Sequence, residues 1–201
     1  MLAEILVRKG LRRLTLMDGD TFAVGNARRH LLTLDEISAW KAQALAERLN
    51  AVSLFADVEA VTTALRWPID ESAFLVNHDI IVDCTSEDDV VHSLSALPGD
   101  KKMRFYSFSM RTYASALLAF ACDGPSIGAE AFFSTVSRLE PDVVEDDIPI
   151  RDAGCQNPAF PASWDRIIVL ASHAVRFMEL QADAELATPV FKTIDVQGQG
   201  E

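Results

Sequence analysis

Through its first half, the chain alternates segments of helical period with short apolar runs, and this constrains the fold more than any other feature. Leu2 to Lys9 carries apolar residues at Leu2, Ile5 and Leu6 before Gly10, a pattern that predicts a helix closed by a glycine. Leu11 to Met17 mixes apolar residues with Arg12, Arg13 and Thr15 and stops at Asp18-Gly19-Asp20, as a strand entering a tight loop does. Residues 20–34 lack a period and read as an ordered loop. Ser38 to Leu49 fits a helix with Trp40, Ala44, Leu45 and Leu49 inward. Val58 to Leu65 is a β-branched run. Asp79 to Asp83 is an apolar run bracketed by acids, as in a strand buried on both faces.

The next helix is expected over Glu87 to Leu97, ahead of Pro98-Gly99. Met103 to Ser109 reads as a strand. Ala116 to Ala121 reads as another, with a helix as the alternative. Ile127 to Leu139 reads as helical, and residues 140–161, acidic and proline-containing, as a long loop. Ser163 to Leu180 predicts a helix with Ile167, Ile168, Ala171, Ala174, Val175 and Met178 on one face, and residues 189–196 a last strand. Helix–strand alternation followed by successive strands implies an α/β fold: a doubly wound, mostly parallel sheet, mixed in its second half, with helices on both faces. No linker divides it, so residues 1–201 are expected to form one domain. Its parts would be an alternating helix–strand half over 1–97 and a mixed-sheet half over 98–201, with a long connecting loop at about 140–163.

Composition removes several function classes. With 30 acidic against 18 basic residues the net charge is −12, which argues against nucleic acid or an anionic membrane as partner. The most apolar stretch, Ala114 to Cys122, is far shorter than the ~20 residues of a spanning helix. The N-terminus is a poor signal peptide, and three cysteines without a CxxC pair fit a reducing, cytoplasmic setting with no zinc site. Cys84, after a buried strand, and Cys122, ending an apolar one, are expected in the core.

A doubly wound nucleotide-binding sheet opens with a strand, a glycine-rich turn and a helix, and places an acid about 20 residues later, at the end of the second strand. Asp18 stands at such an end. Counting back from it puts the glycine turn at or before Met1, so the pattern reads as that fold entered one strand late. Taken alone, Asp18-Gly19-Asp20 reads first as a plain turn.

The run Leu14 to His30, with Asp18-Gly19-Asp20 and Asn26-Ala27-Arg28-Arg29-His30, followed by Lys41, resembles the ThiF/MoeB family of ubiquitin-activating-like adenylyltransferases. In that family a strand ends D-x-D, N-x-x-R-Q follows, and a lysine comes about a dozen residues on. Asp79-Ile80-Ile81-Val82-Asp83-Cys84-Thr85 resembles the family's D-x-V-x-D-C-T strand. The resemblance implies ATP as co-substrate with Mg2+, and activation of the C-terminal carboxylate of a ubiquitin-like or sulfur-carrier protein as an acyl-adenylate. It places Asp18 on the ribose hydroxyls and Asn26, Arg29 and Lys41 at the phosphates, with Asp20 and Asp83 also among the nucleotide-binding residues. Where the family has a magnesium-binding Asp after Cys-Thr, this chain has Ser86, with Glu87 or Asp88 as substitutes. Cys155, in the acidic loop, corresponds to a thioester cysteine, with an incidental thiol as the bland alternative. A homodimer and a ubiquitin-conjugating-like partner are further implications. The competing function is a non-catalytic subunit that keeps the fold for protein–protein contact. A nicotinamide-dependent oxidoreductase leaves Arg29 and Lys41 unexplained.

Overall fold

The computed structural model describes residues 1–65, 72–139 and 162–200. The candidate loop cysteine Cys155, with all of residues 140–161, lies outside them. The first element is the helix α1 (Leu2–Arg8). Gly10 ends it at φ +103°, with Gly10 N–H donating to Val7 O and Leu11 N–H to Leu6 O, the paired bonds of a Schellman stop. The chain reverses into β1 (Arg13–Met17), crosses through α2 (Lys41–Val52) and returns as β2 (Asp57–Val61), parallel to β1 with Leu14 opposite Val58. Parallel neighbours need such a crossover. The outer side of β2 is closed by Asn50, whose side chain donates to Val58 O and accepts from Val58 N–H, both at 2.9 Å.

Next come β3 (Ile80–Asp83), α3 (Asp88–Ser95), β4 (Met103–Met110), β5 (Ala116–Gly124), α4 (Ala129–Leu139), α5 (Trp164–Gln181) and β6 (Val190–Asp195). β3 and β4 run parallel, whereas β4–β5 and β5–β6 are antiparallel, giving the mixed sheet β3-β4-β5-β6. The segment 116–121 is therefore strand. Alternate residues serve opposite faces. Tyr106, Phe108, Ala119 and Ala121 pack with Leu170, Ala174 and Phe177 of α5, while Phe105, Phe120 and Cys122 pack with Val91 and Leu94 of α3 and Phe132 of α4. The expected α/β architecture with helices on both faces is present, its strands divided between two sheets.

β1 and β3 are not hydrogen-bonded to each other. The sheets are coupled by other means. α1 touches both α2 and α5; its Met1 and Leu2 pack into the core of the four-stranded sheet and its Ala3 and Val7 into that of the β1–β2 pair. His78, just ahead of β3, meets Thr15 of β1, Nε2 to Oγ1 at 3.0 Å.

Several local expectations need correction. α2 begins at Lys41, and Trp40 is its exposed N-cap rather than a buried residue; the inward stripe is Ala42, Ala44, Ala46 and Leu49. β2 ends at Val61 instead of reaching Leu65. β3 is not buried on both faces, because Ile80 is half exposed. Cys84 is exposed, since it lies beyond the last residue of β3, where the chain leaves the sheet; Cys122 is buried as expected, and burial pushes its thiol up to about 11. On α5, Leu170 and Phe177 join the core face. The loop 20–34 contains one 3-10 turn, Val24–Asn26, and a second, Leu34–Glu36, closes it. No helix among the described residues is long and apolar enough to cross a membrane.

One ion pair ties the last helix to the sheet. Arg104 of β4 forks onto both oxygens of Asp123 in β5 and also donates to Gln181 O and Ala184 O beyond α5. That pairing holds the Asp123 carboxyl below its ordinary value. With both partners largely desolvated (side-chain exposures 14% and 7%), removing the cation leaves a buried charge. Arg104→Met is expected to destabilise by about 3 kcal/mol in urea unfolding at neutral pH. A depressed carboxyl contributes stability above its unfolded value, near 4, and loses it as pH falls through the folded one, so the deficit of the variant should shrink in acid.

Candidate functional site

At the C-terminal end of β1 the backbone is fixed from several sides. Asp18 N–H donates to Val61 O, continuing the ladder, and Asp18 Oδ1 accepts from Asp20 N–H at 2.8 Å, an Asx turn. Gly19 is required by close approach, since a Cβ there would stand 2.6 Å from Ala64 N. The excursion from Asp20 to Lys41 closes on itself. Phe22 N–H donates to Ala39 O, Ser38 N–H to Phe22 O and Lys41 N–H to Asp20 O, at 2.7 to 2.9 Å. Phe22, Leu32 and Ala44 fill its small core.

This closure puts Lys41 back at the end of β1. Its side chain is 6% exposed, and its Nζ lies 2.8 Å from Asp20 Oδ2. Asn26 is buried, and its Oδ1 accepts from Ala23 N–H at 2.9 Å, which fixes the 3-10 turn. One turn on, Arg29 is half-buried; its N–H donates to Asn26 O and its guanidinium reaches Gly25 O at 3.5 Å. Arg28 beside it is exposed.

The electrostatics follow from burial and from the cations gathered here. Burial raises the Asp18 carboxyl, against the opposing pull of the Asp20 amide and Lys41. His30, whose ring lies tilted on Phe22 and accepts from Leu32 N–H through Nδ1, is pushed down to about 4 by burial and then by the Met1 amine, Lys41 and Arg48. The imidazole is therefore neutral at pH 7. The Met1 amine, itself lowered by burial, feels Cys84 beyond β3. The start of α1 thus stands within electrostatic reach of His30, beyond β1, and of Cys84, beyond β3, and the carboxyl ends of parallel strands are where ligands of open α/β sheets bind.

Beyond β3 the arrangement is different. Asp83 is buried, and its carboxylate is committed locally: Oδ1 accepts from Thr85 N–H and Oγ1, and Oδ2 from Ser107 Oγ, at 2.7 to 2.9 Å. It shapes the turn. Ser86 follows at φ +59° with its hydroxyl on Ser109, and Asp88 stands exposed in the first turn of α3. Among the described residues no group of three His, Cys, Asp or Glu side chains is placed to hold a metal.

The structure thus brings Asp18, Asp20 and Lys41 together beyond the end of β1, holds Asn26 and Arg29 in the loop that closes there, and leaves Asp83 at the end of β3 and Asp88 in the first turn of α3. Sequence reasoning passed over two contributors. Arg48 lies seven residues beyond Lys41, hence on the same helical face, and that spacing was the available signal. His30 had no such signal, because only the closure of the loop buries it.

A histidine held neutral loses stability for the fold as pH falls from its unfolded value, 6.5, towards 4, where the unfolded chain takes up the proton first. The loss approaches about 3 kcal/mol. His30→Gln should flatten the pH dependence of chemical-denaturation stability over that interval, and an unchanged slope would show that His30 is not the group responsible.

The ThiF family model matches residues 1–125. The chain is 32% identical over 184 residues to the ATP-dependent ubiquitin transferase-like protein Cap2 of Enterobacter hormaechei subsp. hoffmannii (strain UCI 50). That match covers 89% of this chain and 30% of the relative, so the chain spans under a third of Cap2's length. Among solved structures, PaaA superposes with a TM-score of 0.61 at 13% identity, covering all of this chain and 67% of that one. E. coli MccB with AMPCPP and MccA gives 0.60 at 12%, covering all of this chain and 58% of that one, and MccB with ATP gives 0.54 at 11% and the same coverage. These likenesses show the fold. The motif order from Asp18 to Lys41, the matched model and the Cap2 identity together establish that the chain belongs to the ThiF family.

Proposed function

We propose that this chain binds ATP at the carboxyl end of β1 and adenylates the C-terminal carboxylate of a ubiquitin-like or sulfur-carrier protein. The observation that carries the reading is the buried Lys41 ammonium, returned by the closed loop to Asp20 and into the field of Asp18, with Arg29 half-buried in the same loop. A desolvated carboxylate at the end of a strand accepts from ribose hydroxyls, and cations in a low-dielectric recess neutralise phosphate oxygens far better than they do in water. Two relatives support the choice of nucleotide: Cap2 is described as ATP-dependent, and MccB is known with ATP.

In this reaction the carboxylate oxygen attacks the α-phosphorus, an acyl–phosphate bond forms, and the bond from the α-phosphorus to the bridging oxygen breaks as pyrophosphate leaves. Asp18 orients the nucleoside. Lys41 and Arg29 hold and neutralise the phosphates, Arg29 by its planar fork. Asn26 positions Arg29 through the turn it caps. The described residues do not form a magnesium cage. Asp88 is the carboxylate that would hold a magnesium ion, which would supply further neutralisation of phosphate charge, and no step is assigned to it. Cys155 as thioester acceptor, a ubiquitin-conjugating-like partner and homodimerisation complete the proposal.

ATP–pyrophosphate exchange with a ubiquitin-like protein ending in a free carboxylate tests it. The chain should exchange label, and Lys41→Met should lose about 100-fold or more. Asp18→Asn should weaken exchange while unfolding no more easily, because it removes a carboxylate whose burial disfavours its charge. A folded chain that shows no exchange would overturn the enzymatic reading in favour of a non-catalytic subunit.

A further inference from the structure

We infer that Asp20 is a built-in stand-in for phosphate: it neutralises Lys41 in the nucleotide-free chain and yields the ammonium to the triphosphate when ATP binds. The inference rests on the ATP reading above and assigns Asp20 the role of competitor rather than ligand.

The two members of the pair differ in burial. The Lys41 side chain is 6% exposed, that of Asp20 42%. An ammonium so enclosed needs an anion at all times, since leaving it unpaired costs several kcal/mol. The carboxylate is free of that constraint, because solvent already reaches it. The exchangeable partner is therefore Asp20.

The backbone permits the exchange. Asp20 O accepts from Lys41 N–H, and Asp20 N–H donates to Asp18 Oδ1, so main-chain bonds hold the loop closed without the side chain. No other carboxylate is bonded to Lys41 in the structure as described; Asp18 senses it electrostatically but spends Oδ1 on the Asp20 amide. A phosphate oxygen accepts from an ammonium as a carboxylate does and brings more charge. ATP binding is then an exchange of one anion for another, and Asp20 lowers the apparent affinity by the work of displacing it.

Calorimetric titration with inorganic pyrophosphate, ATP and adenosine separates competitor from ligand. Asp20→Asn should bind pyrophosphate and ATP about tenfold more tightly than the unaltered chain, a gain of about 1.4 kcal/mol. Adenosine should bind unchanged. Without ligand this variant should melt lower, and pyrophosphate should raise its Tm more than that of the unaltered chain. Asp20→Glu should restore ordinary behaviour, and Asp20→Ser serves where the Asn variant folds poorly. Weaker or equal pyrophosphate binding by Asp20→Asn and Asp20→Ser, with the unaltered chain still binding ATP, overturns the inference alone. Absence of pyrophosphate and ATP binding in every variant overturns the ATP reading with it.

Discussion

The Lys41–Asp20 pair is the contact on which the site depends. It joins the end of β1 to the first residue of α2 across a 20-residue excursion, and it does so twice, once by backbone and once by side chain. Because the pair closes the loop, Phe22 and Leu32 acquire a core, His30 is buried and neutral, and Asn26 and Arg29 are held in the 3-10 turn within it. A buried ammonium is a poor choice for stability alone, since an apolar residue of similar volume commonly serves as well or better. Its retention at the carboxyl end of a parallel strand makes sense where an anion is to be received.

A second constraint organises the larger body. The strands fall into two sheets, and α1 is the element that touches the helices over both. Its first residues pack on the mixed sheet and its Ala3 and Val7 on the β1–β2 pair, while His78 and Thr15 make a polar contact between them. The ends of β1 and β3 are thereby kept near each other although neither strand bonds to the other. The mixed sheet is held separately by the Arg104–Asp123 fork, which fixes the end of α5. The proposed nucleotide site and the scaffold thus rest on different ion pairs.

Much of this was legible in the sequence because it is local. Gly10 announced the stop of α1, the β-branched runs announced strands, and the order Asp18, Asn26, Arg29, Lys41 announced the family. What was misread depends on tertiary context. Trp40 fits the apolar stripe by period, yet it is the residue from which α2 starts, and its side chain faces out. Ile80 belongs to an apolar run and Cys84 follows it, but among the described residues β3 has a partner on one side only, and the chain leaves it after Asp83. Asp83 matches the motif, and its oxygens accept from Thr85 in the following turn and from Ser107 of β4. Asp20 shows the same limit, since sequence places it beside the nucleotide without telling a ligand from a competitor.

The proposed site requires a nucleotide's phosphates to settle on Lys41 and Arg29 beyond the end of β1. Backbone hydrogen exchange with and without ATP reads this out. ATP should slow exchange across residues 18–30 and at the start of α2, and leave β5, β6 and α5 as they were. Protection confined to the mixed sheet, or none in residues 18–30 at an ATP concentration that saturates binding, would contradict it.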